Sequence, residues 1–315
     1  MRIFVTGITR FAGGHLAEAL VAQGGTAVSG LSRRGEWPPE LRHLAEKVEL
    51  YPCDLGNRDN LEAVLRRTDP EQIYHLAGYA HAGKSIQESD AAWAGNLTAT
   101  RILYEAIQRW GGKPRVLYVG SGMVYADPER EEQPLNESWP LRPATPYAAS
   151  KAAADLLSQW SSPALDIVRV RPFNHIGPRQ SPEFAIAHFA QQIAAIEKGQ
   201  RPPVVETGNL TPRRDLTDVR DMVQAYLLIM QHGRSGDVYN VGTGVTYTMR
   251  EVLDWLLAQA RARIEVRQDA ERVRAVEPAG RAADVAKLCR ETGWQRRYIL
   301  DQTLAETLEY WRSVR

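Results

Sequence analysis

The sequence predicts an α/β protein, a doubly wound parallel sheet with a smaller C-terminal α/β region. Three observations predict it. Short apolar, β-rich runs alternate with helical patterns from Arg2 to about Pro172. A glycine-bearing turn, Gly7 to Gly14, joins the first run to the first helical pattern. Beyond Phe173 the strict alternation gives way to helices separated by arginine-rich loops. The expected division is residues 1–172 plus 214–243 for the sheet domain and 173–213 plus 244–315 for the second domain.

At 315 residues the chain can bury a large core. Its 39 basic and 38 acidic residues leave a formal charge of +1, which removes any case for nucleic acid as main partner. Two cysteines, Cys53 and Cys289, are too few for a disulfide framework and are wrongly placed for a metal site. No secretory pattern opens the sequence and no apolar stretch is long enough to span a bilayer, so a cytoplasmic protein without membrane or metal is expected.

Residues 2–6 read as a strand and Leu16, Ala19, Leu20 and Ala22 as one face of a helix, with a second strand from Thr26 to Leu31. Strand, glycine turn, helix, strand is the opening of a dinucleotide-binding βαβ unit, in which backbone N–H groups at the helix start hold a pyrophosphate. Arg10 stands where such turns carry a glycine; it either obstructs the dinucleotide or swings out to pair with a phosphate. Arg33 and Arg34 follow the second strand where an acidic residue would bind a ribose 2′-OH, which favours NADP over NAD. After a third strand, Val48–Tyr51, Asp54 either accepts from an adenine amino group or caps the helix near Arg58. Gln72–Leu76 is a fourth strand running into Ala77 and Gly78, small enough for a flat cofactor to lie against backbone. His75, inside an apolar strand, is read as a packed histidine and not as a base. Asn96 lies on a helix near 90–110, supporting the site or simply exposed. A fifth strand, Arg115–Val119, delivers Ser121 to a strand's carboxyl end, where open α/β sheets bind ligands.

The chemistry-bearing stretch is Pro146 to Asp155. Tyr147 and Lys151 are four apart in an Ala-rich helical run, hence one turn apart on one face. An ammonium beside a phenol lowers the phenol's pKa, so the pair suits proton transfer to or from a carbonyl or alcohol. A sixth strand, Asp166–Val170, follows. Helices are expected over 184–198, up to Met230, over 249–260, and near 284–291 and 301–313. Arginines of the last third, among them Arg272, Arg274 and Arg281, suit a diphosphate if they converge.

Taken together, Thr6-Gly7, Asp54-Leu55, His75-Leu76-Ala77, Asn96, Ser121 with Tyr125, Tyr147/Lys151 and Arg214-Asp215 resemble the extended short-chain dehydrogenases/reductases that act on nucleotide sugars. The stretches from Arg171 to Gln180 and from Gly208 to Asp221 look like the GDP-sugar branch, most like its reductases of GDP-4-keto-6-deoxy-D-mannose. The resemblance implies a Rossmann domain with a smaller substrate domain, catalysis by Ser121, Tyr147 and Lys151 with Asn96 as support, and a homodimer built through a four-helix bundle. It implies NADP(H), with NAD(H) possible, held by Gly7, Thr9, Arg10, Phe11, Ala12, Gly13, Arg33, Arg34, Asp54, Leu55, Leu76, Ala77, Gly78, Lys151 and Phe173. It implies a GDP-sugar held by Ser85, Ser121, Tyr147, Asn174, Arg179, Asn209, Arg214 and Arg274. Dehydrating relatives carry a carboxylate two residues before the tyrosine matching Tyr125; here that residue is Met123, whose thioether cannot move protons, so ketone reduction is expected over dehydration. A 4-epimerase, a dehydratase and a non-catalytic sugar-nucleotide binder are the alternatives.

Overall fold

The computed structural model describes residues 1–128, 133–269 and 280–314. In chain order the first half runs β1 (Arg2–Thr6), α1 (Phe11–Gln23), β2 (Ala27–Ser32), β3 (Val48–Pro52), α2 (Arg58–Thr68), β4 (Gln72–His75), α3 (Ser89–Trp93), α4 (Ala99–Trp110), β5 (Arg115–Val119), α5 (Pro146–Ser161) and β6 (Ile167–Pro172). The second half runs β7 (Asn174–Ile176), α6 (Ala185–Glu197), β8 (Val204–Thr207), β9 (Arg213–Asp218), α7 (Val219–His232), β10 (Val238–Val241), β11 (Thr246–Thr248), α8 (Met249–Ala258), β12 (Glu265–Gln268), α9 (Ala286–Thr292) and α10 (Leu300–Ser313).

Seven strands form one parallel sheet in the order β10-β6-β5-β4-β1-β2-β3. The order reverses between β1 and β4, so their carboxyl ends splay open there and leave room for a ligand. The strands read as continuous apolar runs because helices cover both faces. On one face Leu16 and Leu20 of α1 pack with Met222, Tyr226 and Ile229 of α7; on the other Leu61 and Leu65 of α2 pack with Leu103 and Ile107 of α4 and Ala154 of α5. Each such buried leucine contributes about 1.5–3 kcal/mol.

The second region has its own core, in which Phe189 and Ile193 of α6 meet Leu253 and Leu256 of α8 and Leu304 and Leu308 of α10. A small sheet β11-β9-β7 and a pair β12-β8 complete it. These strands are three to six residues long and largely polar, so no apolar alternation announced them. Two stretches depart from the expected division. β9 pairs with β7 and β11, outside the large sheet, while Leu288 and Trp294 around α9 pack with α1 and α7 in the large-sheet core. No helix among the described residues is long and apolar enough to cross a membrane.

Candidate active site

Thr145 caps α5, its hydroxyl accepting from the N–H of Ala148, and Pro146 fills the first turn, where a missing N–H costs nothing. The helix that follows brings Tyr147 and Lys151 to the carboxyl end of β5. Ser121 follows that strand by two residues; its Oγ accepts from the N–H of Met123 at 3.1 Å, and its side chain is near enough to the Tyr147 phenol to influence it. Burial raises the Tyr147 pKa and Ser121 opposes that rise. Lys151 points into the same space with Nζ donating to the carbonyl of Val119 at 3.0 Å. Its burial lowers the ammonium pKa to about 8, against an opposing pull from Asp155.

One expectation is therefore corrected. Burial is the largest influence on the Tyr147 phenol and raises its pKa, against the lowering expected from Lys151. The phenol stays protonated at neutral pH, as a proton donor must.

Asn96 is buried in the single π-helical turn, Ala94–Thr98, that joins α3 to α4. Such turns recur at functional sites. Its Oδ1 accepts from the N–H of Tyr79 at 3.0 Å and its Nδ2 donates to Ser150 Oγ at 2.9 Å. His75 is wholly buried between Thr6 Oγ1 at 2.8 Å and Thr100 Oγ1 at 3.0 Å, with its pKa driven down to about 3 by burial and by Lys151. It is the packed histidine that its strand context suggested.

The glycine turn fits a dinucleotide. Gly7 has φ of +75°, and a Cβ there would lie 2.9 Å from the N of Ala77; a Cβ on Gly13 would lie 2.1 Å from the carbonyl of Gly7. Turn and strand end are thus as close as backbone allows, leaving the first N–H groups of α1 toward the opening between β1 and β4. Arg10 caps α1 at φ −103° and ψ 174°, an extended conformation open to any residue, so no strain follows from the missing glycine. Its exposed side chain lies within electrostatic reach of Glu183, a carboxylate held below its usual range chiefly by Lys84 and also by His81. Phe11 stacks on His175 at 5.8 Å, joining turn to second region.

At the end of β2, Ser32 closes a tight turn through its Oγ to the N–H of Gly35, which lifts Arg33 and Arg34 into solvent with no hydrogen bond or ion pair among the described residues. Asp54 does not cap α2. Asn57 does, accepting from Asn60, while Asp54 is exposed and accepts from the N–H of Gly56. Phe173 packs where a Cβ on Gly122 would fall, 2.7 Å away, and so touches the turn that carries Ser121.

The residues expected to hold the sugar nucleotide divide. Asn174 is exposed at the start of β7, and Asn209 shapes its own loop by accepting from Thr211. Arg214 bonds the carbonyl of Arg213. Ser85 is fully buried, its hydroxyl donating to the carbonyl of Ala82. Arg179 clamps α1: its guanidinium grips both oxygens of Glu18 at 2.6 Å and reaches His15 at 3.0 Å, from a left-handed backbone at φ +74°. Nothing in the local sequence signals either engagement, since the partners are far away in the chain. Arg274, with Arg272, lies outside the described residues. Arg281 is buried and donates to the carbonyl of Met123 and to Asp127, so it fastens the Ser121 turn. A second fastening was missed altogether. Asp155, one turn beyond Lys151, takes Arg169 and Arg171 in the core, and Arg171 also donates to the Tyr125 hydroxyl at 3.0 Å.

The family model for GDP-mannose 4,6-dehydratase matches residues 4–307. The chain belongs to this family. It is thereby an enzyme of the extended short-chain dehydrogenase/reductase type. It is similar to GDP-6-deoxy-D-mannose reductase of Pseudomonas aeruginosa, with 33% identity over 99% of this chain and 97% of that one. Among solved structures it is similar to RMD from Pseudomonas aeruginosa complexed with NADPH, at a TM-score of 0.85 and 31% identity over 99% of both chains. It is also similar to UDP-glucose 4-epimerase of Thermus thermophilus in complex with NAD, at a TM-score of 0.88 and 28% identity over 99% of both chains.

Proposed function

We propose that the protein reduces the C4 ketone of a GDP-4-keto-6-deoxyhexose with NADPH, converting GDP-4-keto-6-deoxy-D-mannose to GDP-D-rhamnose. The observation that carries the reading is the placement of Tyr147 and Lys151 one turn apart on α5, with Lys151 Nζ donating to the Val119 carbonyl at the end of β5, beside Ser121. The solvent-facing Arg33 and Arg34 at the end of β2 support NADPH over NADH. The chemistry the dinucleotide supplies, when bound, is a hydride for C4. Tyr147 gives its hydroxyl proton to the C4 oxygen, Ser121 donates a hydrogen bond to that oxygen as charge builds on it, and Lys151 holds the nicotinamide ribose. Asn174, Asn209, Arg214 and Arg274 hold the nucleotide diphosphate, and this remote binding orients C4. Met123, in the turn after Ser121, offers no carboxylate to abstract the C5 proton, which sets reduction above dehydration.

The deciding experiment is incubation with GDP-4-keto-6-deoxymannose and NADPH, with the product identified by NMR. A C4 alcohol formed with stoichiometric NADPH consumption supports the reading. Turnover without added dinucleotide, by protein that carries NAD, would make it an epimerase.

The working unit is a cytoplasmic homodimer formed by the α4 and α5 faces of two copies. Trp160 is 79% exposed and Leu156 53% exposed on α5, with Trp93 at the end of α3 also exposed. Leu156→Glu with Trp160→Glu should convert the dimer to a monomer in analytical ultracentrifugation; an unchanged sedimentation coefficient would remove this interface.

A further inference from the structure

Six hydrogen bonds, four buried and the two end ones part-buried, connect the dinucleotide turn to the backbone of Tyr147, and together they orient the protons between. The N–H of Ala77 donates to Thr6 Oγ1 at 3.1 Å, so the hydroxyl of Thr6 is free to donate to His75 Nδ1, 2.8 Å away. On the other side, Thr100 Oγ1 donates to the carbonyl of Asn96 at 2.6 Å and must accept from His75 Nε2, 3.0 Å away. The neutral imidazole with its proton on Nε2 satisfies both ends and gives the Thr6 hydroxyl proton an acceptor. From Asn96, Nδ2 donates to Ser150 Oγ, and Ser150 Oγ donates to the carbonyl of Tyr147 at 2.9 Å. His75, Thr100, Asn96 and Ser150 are all 2% exposed or less, so none of these bonds has water as a substitute.

We propose that His75, Thr100 and Ser150 are positioning residues that hold Asn96 and the first turn of α5 in register with the Thr6-Gly7 dinucleotide turn. They touch neither substrate nor cofactor. They act by locking the Tyr147 backbone relative to the strand ends that receive the nicotinamide, where a shift of about 1 Å costs about a hundredfold in rate. The claim rests on the reductase reading for its activity readout but not for its spectroscopic one.

Thr100→Val removes one hydroxyl at constant shape and strands the His75 Nε2–H. At a temperature where the variant is fully folded, kcat should fall about tenfold or more, with KM for the ketosugar and Kd for NADPH changed less than about threefold. Thr100→Ser restores the hydroxyl and should restore kcat. A folded Thr100→Val that keeps kcat within about twofold of wild type, losing only thermal stability, would overturn the positioning role. Separately, ¹⁵N NMR of wild-type His75 should report the Nε2–H tautomer with no titration between about pH 5 and 9, since Lys151 and the Tyr118 ring are the ionisable groups facing it and burial keeps it neutral. An Nδ1–H tautomer or a titration in that range would refute the bond directions. If wild type reduces no 4-ketohexose, the functional reading falls and the catalytic role falls with it, while the His75 spectrum still judges the connection itself.

Discussion

On the dinucleotide side of the site, buried polar groups bond to one another and to backbone between the parallel sheet and the helices that cover it. Thr6, His75, Thr100, Asn96 and Ser150 form one continuous chain there. On the sugar side the polar residues are long, exposed or engaged across the boundary between regions, as with Arg179 on Glu18 and Arg281 on Asp127. The first arrangement is held by partners that sit side by side in the fold. The second ties its arginines to carboxylates far away in the chain. The difference fits the ligands that similar proteins carry: the solved structures hold NADPH or NAD, while the names of the relatives run over GDP, dTDP and UDP sugars.

Four perturbations test the contrast. The largest effect should come from Tyr147→Phe, which removes the proton donor and should lower kcat by about 10³-fold, with GDP-sugar binding by calorimetry nearly unchanged. Retained turnover would break the assignment of the proton. Next, Arg33→Ala with Arg34→Ala should weaken NADPH about 30-fold or more in a fluorescence titration and leave NADH almost untouched, because charged hydrogen bonds to the 2′-phosphate are lost. Equal losses for both would mean that the arginines do not read that phosphate. The third is a pH profile. Lys151 is cationic below about pH 8 and loses its proton as pH rises through that value, so kcat/KM should decline above about pH 8. A limb first appearing near the ordinary lysine value would show that burial does not govern Lys151. The smallest effect is expected for Arg179→Ala. It should cost about 1 kcal/mol of stability in a denaturant melt and leave KM for the GDP-sugar within about twofold, since the guanidinium serves Glu18. A large rise in KM would return Arg179 to the substrate.

The large sheet was legible because its signals are local. An apolar strand, a glycine turn and a helix with period 3.6 follow one another within about thirty residues, and Tyr147 and Lys151 announce themselves by their spacing. The small strands β7, β8, β11 and β12 were not legible, because three or four residues of mixed polarity carry no period. Side-chain partners were the least legible. Arg179 meets Glu18 across 161 positions and Arg281 meets Asp127 across 154, so the sequence could name arginines but not their occupations. The sign of the Tyr147 shift was missed for the same reason, since the burial that raises it is a tertiary fact.

Helix α5 carries Tyr147 near its start and Trp160 near its end, thirteen positions later, which at 1.5 Å per residue is a rod about 20 Å long. Such a rod is a lever. A pivot of about 3° at the tryptophan end would sweep the tyrosine end through about 1 Å, enough to spoil a near-attack geometry. Whatever rests against the outer flank of this helix therefore helps to set where the Tyr147 phenol points, from about 20 Å away.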